Sequence, residues 1–261
     1  MSRRRQLFLK RILLFLVILF VWEATTGGFD PRWQIFNSAL LARPSNIAVA
    51  LVDYARSGLL LTDARQTLQE AFLGLFLGMI GGVVVGILFG YWGTAAAIFE
   101  PTMVALNSLP RITVAPILIL WFGLGMTSKV VLSLFTVFFV VFFNTYAGVK
   151  SVDPDLIKSV KVMGGGPRDI ARMVVVPSVS SWVFAALRTS VSFALTGAVV
   201  GEFVGSTQGF GYRMLLATGV MDTDRVFAIM VILMTVGVVL VTLSSKLERY
   251  LLRWKPDFVA I

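Results

Sequence analysis

Apolar residues along this chain gather in long blocks separated by short polar stretches. Six blocks approach or exceed the roughly 20 residues that cross a bilayer as a helix: about 11–27, 67–91, 95–123, 128–149, 179–205 and 225–245. No run alternates apolar and polar positions over about ten residues, as a membrane β-barrel requires. The pattern predicts an all-α polytopic membrane protein, one transmembrane domain over 1–261 with about six membrane helices. Residues 28–66 interrupt the blocks. Pro31, Pro44 and Gly58 break that stretch, and apolar clusters at 47–52 and 58–61 predict one or two short interfacial helices. The core then runs over 67–250, with a polar loop at 150–178. The basic start and short apolar core of 1–27 also fit a signal peptide. Trp22 and Glu23 stand where small cleavage-site residues would be needed, so Arg11–Thr26 reads as a retained first helix.

Small residues and prolines refine two blocks. The second carries Gly74, Gly78, Gly82, Gly86 and Gly90, one glycine every fourth residue, over about 24 Å of helix. Such a face lets another helix approach backbone to backbone, so it predicts a packing seam rather than a ligand site. Pro101, Pro110 and Pro116 break the third block, with Asn107, Ser108, Arg111 and Thr113 around the middle one. Broken helices are tolerated at membrane depth where protein buries them or where they line a polar cavity. A kinked helix with satisfied polar groups and a pathway lining are equally open readings.

Ionisable residues inside spans are costly and face the bundle interior or water. Glu100 and Lys129 lie near span ends, where long side chains snorkel. Glu23 closes the first block. Arg188 and Glu202 sit 14 residues apart in the fifth, about 21 Å along the axis and some 40° off one face. Both are predicted to face the interior. Arg188 could meet an anionic substrate, but internal pairing is the stronger reading. Asn107, Arg111, Thr113, Asn144, Arg188 and Glu202 form the candidate pathway set.

Charge changes the picture in one respect, orientation. The formal charge of +9 could suggest nucleic acid, but in a membrane protein Lys and Arg mark the cytoplasmic side. Arg3, Arg4, Arg5, Lys10 and Arg11 crowd the N-terminus. Lys150, Lys158, Lys161, Arg168 and Arg172 outnumber Asp153, Asp155 and Asp169 in the 150–178 loop. Lys246, Arg249, Arg253 and Lys255 outnumber Glu248 and Asp257 near the C-terminus. Both termini and that loop are thus expected inside, which an even number of spans allows. The chain has no cysteine and no histidine. Disulfides and thiolate chemistry are excluded, and the commonest metal ligand and general base is missing. No catalytic residue, metal site or directly bound cofactor is expected, and no nucleic-acid partner.

The loop reads "MGGGPRDIARMVVVP" over 163–177. A phosphate-binding loop needs a lysine for the phosphates and a hydroxyl for magnesium at fixed places, and neither is present. What remains is a helix over about 154–163, a turn at Gly164, Gly165 and Gly166, and a second helix from Pro167 ending before Pro177. Lys158 and Lys161 would be exposed on the first, Arg168, Asp169 and Arg172 on the second. Such a bracket suits another protein or lipid headgroups.

Gly164, nine residues, then Val174-Val175-Val176-Pro177 resembles the loop of ABC-importer permeases that runs E-A-A-x3-G-x9-I-x-L-P. Lys158-Ser159-Val160 stands where Glu-Ala-Ala is usual. "LPRITVAPILILWFGLG" (109–125), "FFNTYAGVKSVDPDLI" (142–157), "GEFVGSTQGFGY" (201–212), "LERYLLRWKP" (247–256) and "ARPSNIAVAL" (42–51) are similar to permeases for nitrate, taurine, aliphatic sulfonates and related anions such as bicarbonate. The resemblance implies a type I importer fold in the bacterial inner membrane. It implies a second permease copy, two ABC ATPase subunits that use ATP and magnesium, and an extracytoplasmic binding protein. Residues 154–176 would be coupling helices seated in the ATPase, with Asp155, Lys158, Lys161, Gly164–Gly166, Arg168, Asp169 and Arg172 facing it. Pro177 would separate them from the fifth span. More loosely similar permeases carry thiamine-precursor pyrimidines, riboflavin or aromatic carboxylates. An ion-coupled secondary carrier is the rival of a different class, but no internal repeat supports it.

Overall fold

The computed structural model describes residues 3–37 and 40–252, without the side chains of 3–5 and 31. Arg253, Lys255 and Asp257, and the side chains of Arg3, Arg4 and Arg5, lie outside the described residues. Every regular element among those described is helical: α1 (Arg3–Thr25), a 3-10 turn (Pro31–Trp33), α2 (Pro44–Arg56), α3 (Leu59–Tyr91), α4 (Gly93–Asn107), α5 (Arg111–Phe122), α6 (Met126–Lys150), α7 (Pro154–Val162), α8 (Pro167–Ile170), a π turn (Ala171–Val175), α9 (Val176–Val204), α10 (Phe210–Gly219) and α11 (Thr223–Leu251).

Among the described residues four helical stretches are long and apolar enough to span a bilayer: α3, α6, the continuous run Pro167–Val204 and α11. The α4–α5 pair, bent by 94°, is apolar enough when taken together and makes a fifth if it counts as one span. Six were expected. The missing one is α1, where Arg11 and Glu23 bracket an uncharged stretch from Ile12 to Trp22, about 16 Å long against a hydrocarbon core of about 30 Å.

The chain divides into two compact units, Met1–Ala64 with Arg213–Met234, and Arg65–Tyr212 with Thr235–Ile261. In the first, Ala42, Ile47 and Ala228 form a small core with Trp22, Leu51 and Phe227 packed on it. Several of its charged groups are paired. The Glu23 carboxylate accepts from the Ser45 amide at 3.0 Å and hydroxyl at 2.7 Å. Buried Asp63 accepts from Tyr54 OH and Arg213 Nε, both at 2.7 Å. That pairing explains why α3 starts at Leu59, ahead of the apolar block at 67: the charge in its first turns is neutralised rather than left against lipid.

The second unit is built on α6, packed between α3 and α9. The predicted glycine seam is there. A Cβ added to Gly78, Gly82 or Gly86 would stand 2.8, 2.7 and 2.7 Å from the Cβ of Val137, Val141 and Thr145, and Gly74 and Gly90 meet Ser133 and Val149 in the same register. On α6's other side, Gly197 lies against Ser133 and Thr136. The Ser133 hydroxyl donates to Ala194 O at 3.0 Å and the Thr136 hydroxyl to Phe193 O at 3.1 Å. Small residues and hydroxyl-to-backbone bonds are how helices associate where lipid removes the hydrophobic drive between them. Ala71, Val137, Val141, Ala186, Ala194 and Ala198 form the shared core.

Two prolines act differently from expectation. In the third block only Pro110 marks a break; Pro101 and Pro116 lie inside α4 and α5. At the break Ser108 donates to Val104 O at 2.8 Å and Thr113 to Pro110 O at 2.6 Å. Nor does Pro177 end a helix. The run from Pro167 to Val204 is unbroken, because the turn ahead of the proline is π-helical and the Val176 amide reaches back to Ala171 O. A widened turn makes room for the ring and absorbs the missing donor.

Candidate functional site

The 150–178 segment forms as the residue types dictate. Asp153 caps α7, its carboxylate accepting from the Asp155 amide at 2.8 Å. Pro154 occupies the first helical position, where its missing N–H costs nothing. Gly164 takes φ +84°, a left-handed conformation that glycine adopts without steric cost. The Gly165 amide then closes the helix by donating to Val160 O at 2.9 Å. Asp169 starts the return helix by accepting from the Gly166 amide at 2.8 Å. Lys158 pairs with Asp155 at 2.8 Å, both largely exposed. Lys161, Arg168 and Arg172 are exposed, and no residue of α7 or α8 is buried. Between the charges, Val162 and Met163 are 88% and 84% exposed. An apolar tip ringed by charge is the composition of a protein-binding surface.

The candidate pathway residues do not form one site. Asn107 and Arg111 do come together at the break, with Arg111 Nη2 3.5 Å from Asn107 Oδ1 and the guanidinium 5.1 Å over the Phe193 ring. Thr113 is beside them and exposed. Asn144 is half-buried and donates to Val140 O within its own helix. Arg188 departs from the expected inward orientation: its side chain is 51% exposed and pairs with Glu248 at 2.8 Å. The buried stripe of α9 centres on Ala194 and Ala198. Glu202 is at its rim, and the 40° offset carries Arg188 past it.

Glu202 is fully buried, and its partners were not legible as a set. One carboxylate oxygen accepts from Thr67 at 2.6 Å, the other from the Gly211 amide at 2.7 Å. The Thr67 hydroxyl in turn accepts from the Phe210 amide at 3.0 Å. Buried Glu70 accepts from Gln66 at 2.7 Å. Lys129, expected to snorkel, is instead 1% exposed; its ammonium donates to Leu124 O and Gly125 O and lies in the field of Glu70 and Glu202. The reason is local. Gly201 has no Cβ, which would stand 2.9 Å from Lys129 Cγ, so the lysine has room to turn back to the carbonyls of Leu124 and Gly125. Glu70 was overlooked, although it lies four residues before Gly74, in register with the glycine seam. Among the described residues no group of three His, Cys, Asp or Glu side chains could hold a metal ion.

Known proteins agree with this architecture. The riboflavin transport system permease protein RibX of Chloroflexus aurantiacus (strain ATCC 29366 / DSM 635 / J-10-fl) is 33% identical over 93% of this chain and 88% of its own. The taurine transport system permease protein TauC of Escherichia coli (strain K12) is 25% identical over 92% and 88%. Among solved structures, an inward-facing form of the MetNI methionine ABC transporter superposes with a TM-score of 0.61 at 19% identity, covering 74% of this chain and 95% of that one. The fold is that of a type I ABC importer transmembrane subunit. Residues 74–253 match the binding-protein-dependent transport system inner membrane component family, and the chain belongs to it.

Proposed function

We propose that this ABC-importer permease admits a small anionic solute, of the sulfonate, nitrate or bicarbonate kind, delivered by an extracytoplasmic binding protein. The observation that carries the coupling half of this reading is the bracket 154–176, whose second half from Pro167 is continuous with the long helix α9. Two ATPase subunits dock there and a second copy of the chain completes the path, with ATP hydrolysed by the partner. Lys158 replaces the usual glutamate, so its counterpart in the ATPase cleft is acidic.

Arg111, held by Asn107 at the break of the α4–α5 pair, supports the anionic substrate. The positive-inside bias puts both termini and the bracket on the cytoplasmic face of the inner membrane. An even number of crossings then requires α1 to cross too. Its uncharged stretch Ile12–Trp22 is shorter than the hydrocarbon core, so it crosses with Lys10 and Arg11 snorkelling and the bilayer thinned around it.

Reconstitution tests the proposal. Uptake into liposomes should need the ATPase, ATP and the binding protein, and full ATP-independent uptake by the chain alone would overturn it. Thermal-shift screening of the cognate binding protein identifies the solute: stabilisation by a sulfonate, nitrate or bicarbonate supports the anion. Stabilisation by riboflavin, as the name of RibX suggests, or by a pyrimidine would replace it.

A further inference from the structure

At the end of α9 remote from the bracket, the chain has built a hydrogen-bonded node that no transport role yet uses. Glu202 is the third-last residue of the unbroken run Pro167–Val204. Both of its carboxylate oxygens are spent on fixing something else in place: one on Thr67 of α3, the other on the Gly211 amide. Thr67 closes the ring by accepting from the adjacent Phe210 amide. The segment so held, 205–211, forms no regular element before Phe210, and Gly209, Phe210 and Gly211 are buried. Its hydrogen bonds include a Ser206 hydroxyl donating to Gln208 O, and Gly209 takes φ +103° directly against the Glu202 carboxylate. A side chain at Gly209 would displace that carboxylate, so backbone and carboxylate are fitted to each other.

We propose that Thr67 and Glu202 are positioning residues for transport, a latch that makes the 205–211 turn follow α9 when the bracket at its other end is displaced. The proposal rests on the reading that the ATPase seats on 154–176. The run is continuous over 38 residues, about 57 Å long, with one π turn at Ala171–Val175; beyond that turn α9 packs into the shared core with α3 and α6, and packed interiors have low compressibility. A shift of Pro167–Arg172 that passes the π turn arrives at Glu202 as a shift of the whole end. The latch passes it to the backbone of 210–211, and through the shared Thr67 hydroxyl fixes that backbone's register against α3.

Thr67 separates a positioning role from a merely structural one. Thr67→Val keeps the shape and removes the hydroxyl, while Thr67→Ser keeps the hydroxyl. Both are made in the complete complex of permease, ATPase and binding protein in proteoliposomes. In the cysteine-free chain, Gln208→Cys, labelled with a fluorophore before assembly, reports on the exposed turn. The expected result is at least fivefold slower uptake for Thr67→Val with basal ATP hydrolysis within twofold of the parent. Its Gln208 label should no longer respond to ATP. Thr67→Ser should recover both readouts to within twofold. Uptake and label response in Thr67→Val like those of the parent would overturn the latch. So would a parallel loss of uptake and hydrolysis that Thr67→Ser leaves unrescued. A parent complex that shows no ATP-driven uptake sinks the importer reading itself, and the latch with it.

Discussion

The two ends of the run Pro167–Val204 use polar residues in opposite ways. At the bracket end, charges point outward, pair loosely on the surface as Lys158 does with Asp155, and surround the exposed Val162–Met163 tip. At the Glu202 end, polar atoms point inward, and both carboxylate oxygens of Glu202 have a donor. The difference follows from what each end must satisfy. An exposed ion pair is worth about 0–1 kcal/mol, so the bracket's residues contribute little to folding and are available for a partner. A buried charge without partners costs several kcal/mol, so the residues around Glu202 are committed to the fold.

Substitutions ranked by loss of thermal stability in detergent should break or sharpen that contrast. Lys129→Met is expected to cost most, about 2–4 kcal/mol, because it removes the buried ammonium that donates to Leu124 O and Gly125 O and leaves those acceptors short of a donor. A melt within about 1 kcal/mol of the parent would mean that the buried end is no more committed than the exposed one. Gly82→Leu comes next, at about 1–3 kcal/mol for overpacking, since its Cβ would already stand 2.7 Å from Val141 Cβ and 2.9 Å from Phe138 O. Arg188→Ala should cost less than about 1 kcal/mol, its pair with Glu248 being half exposed. The double substitution Val162→Asp with Met163→Asp should leave the melt within about 0.5 kcal/mol. Co-purification of the ATPase should nevertheless fall at least tenfold, measured by pull-down; retention of the ATPase would remove the tip from the docking surface.

Legibility in the sequence followed the range of the physical signal. The glycine register of α3 announced its seam because a period of four is visible in one segment and has one physical use. Gly164 and Pro167 marked the ends of the bracket's helices because turn chemistry and helix-start preferences are local. The resemblance of 158–177 to the importer loop likewise lay in contiguous residues. Lys129 was misread as snorkelling because a lysine near a helix end has two outcomes, and Gly201, 72 residues away, decides between them. Pro177 was misread as a helix end because proline alone does not reveal a π turn before it. Arg188 was misplaced by the 40° that separates the rim of a buried stripe from its outside.

The sequence by itself determined the class of molecule. The lengths of its apolar blocks, its missing cysteine and histidine, the glycine face of α3 and the punctuation of 164–167 all act over a few turns of one segment, where backbone geometry and solvation leave few choices. Tertiary structure alone decided which polar residues meet. Thr67, Glu70, Lys129 and Glu202 come from three helices, and nothing within any one of them specifies the others. Burial in a medium without water favours every donor that finds an acceptor, but only the packing of α3, α6 and α9 supplies the partners.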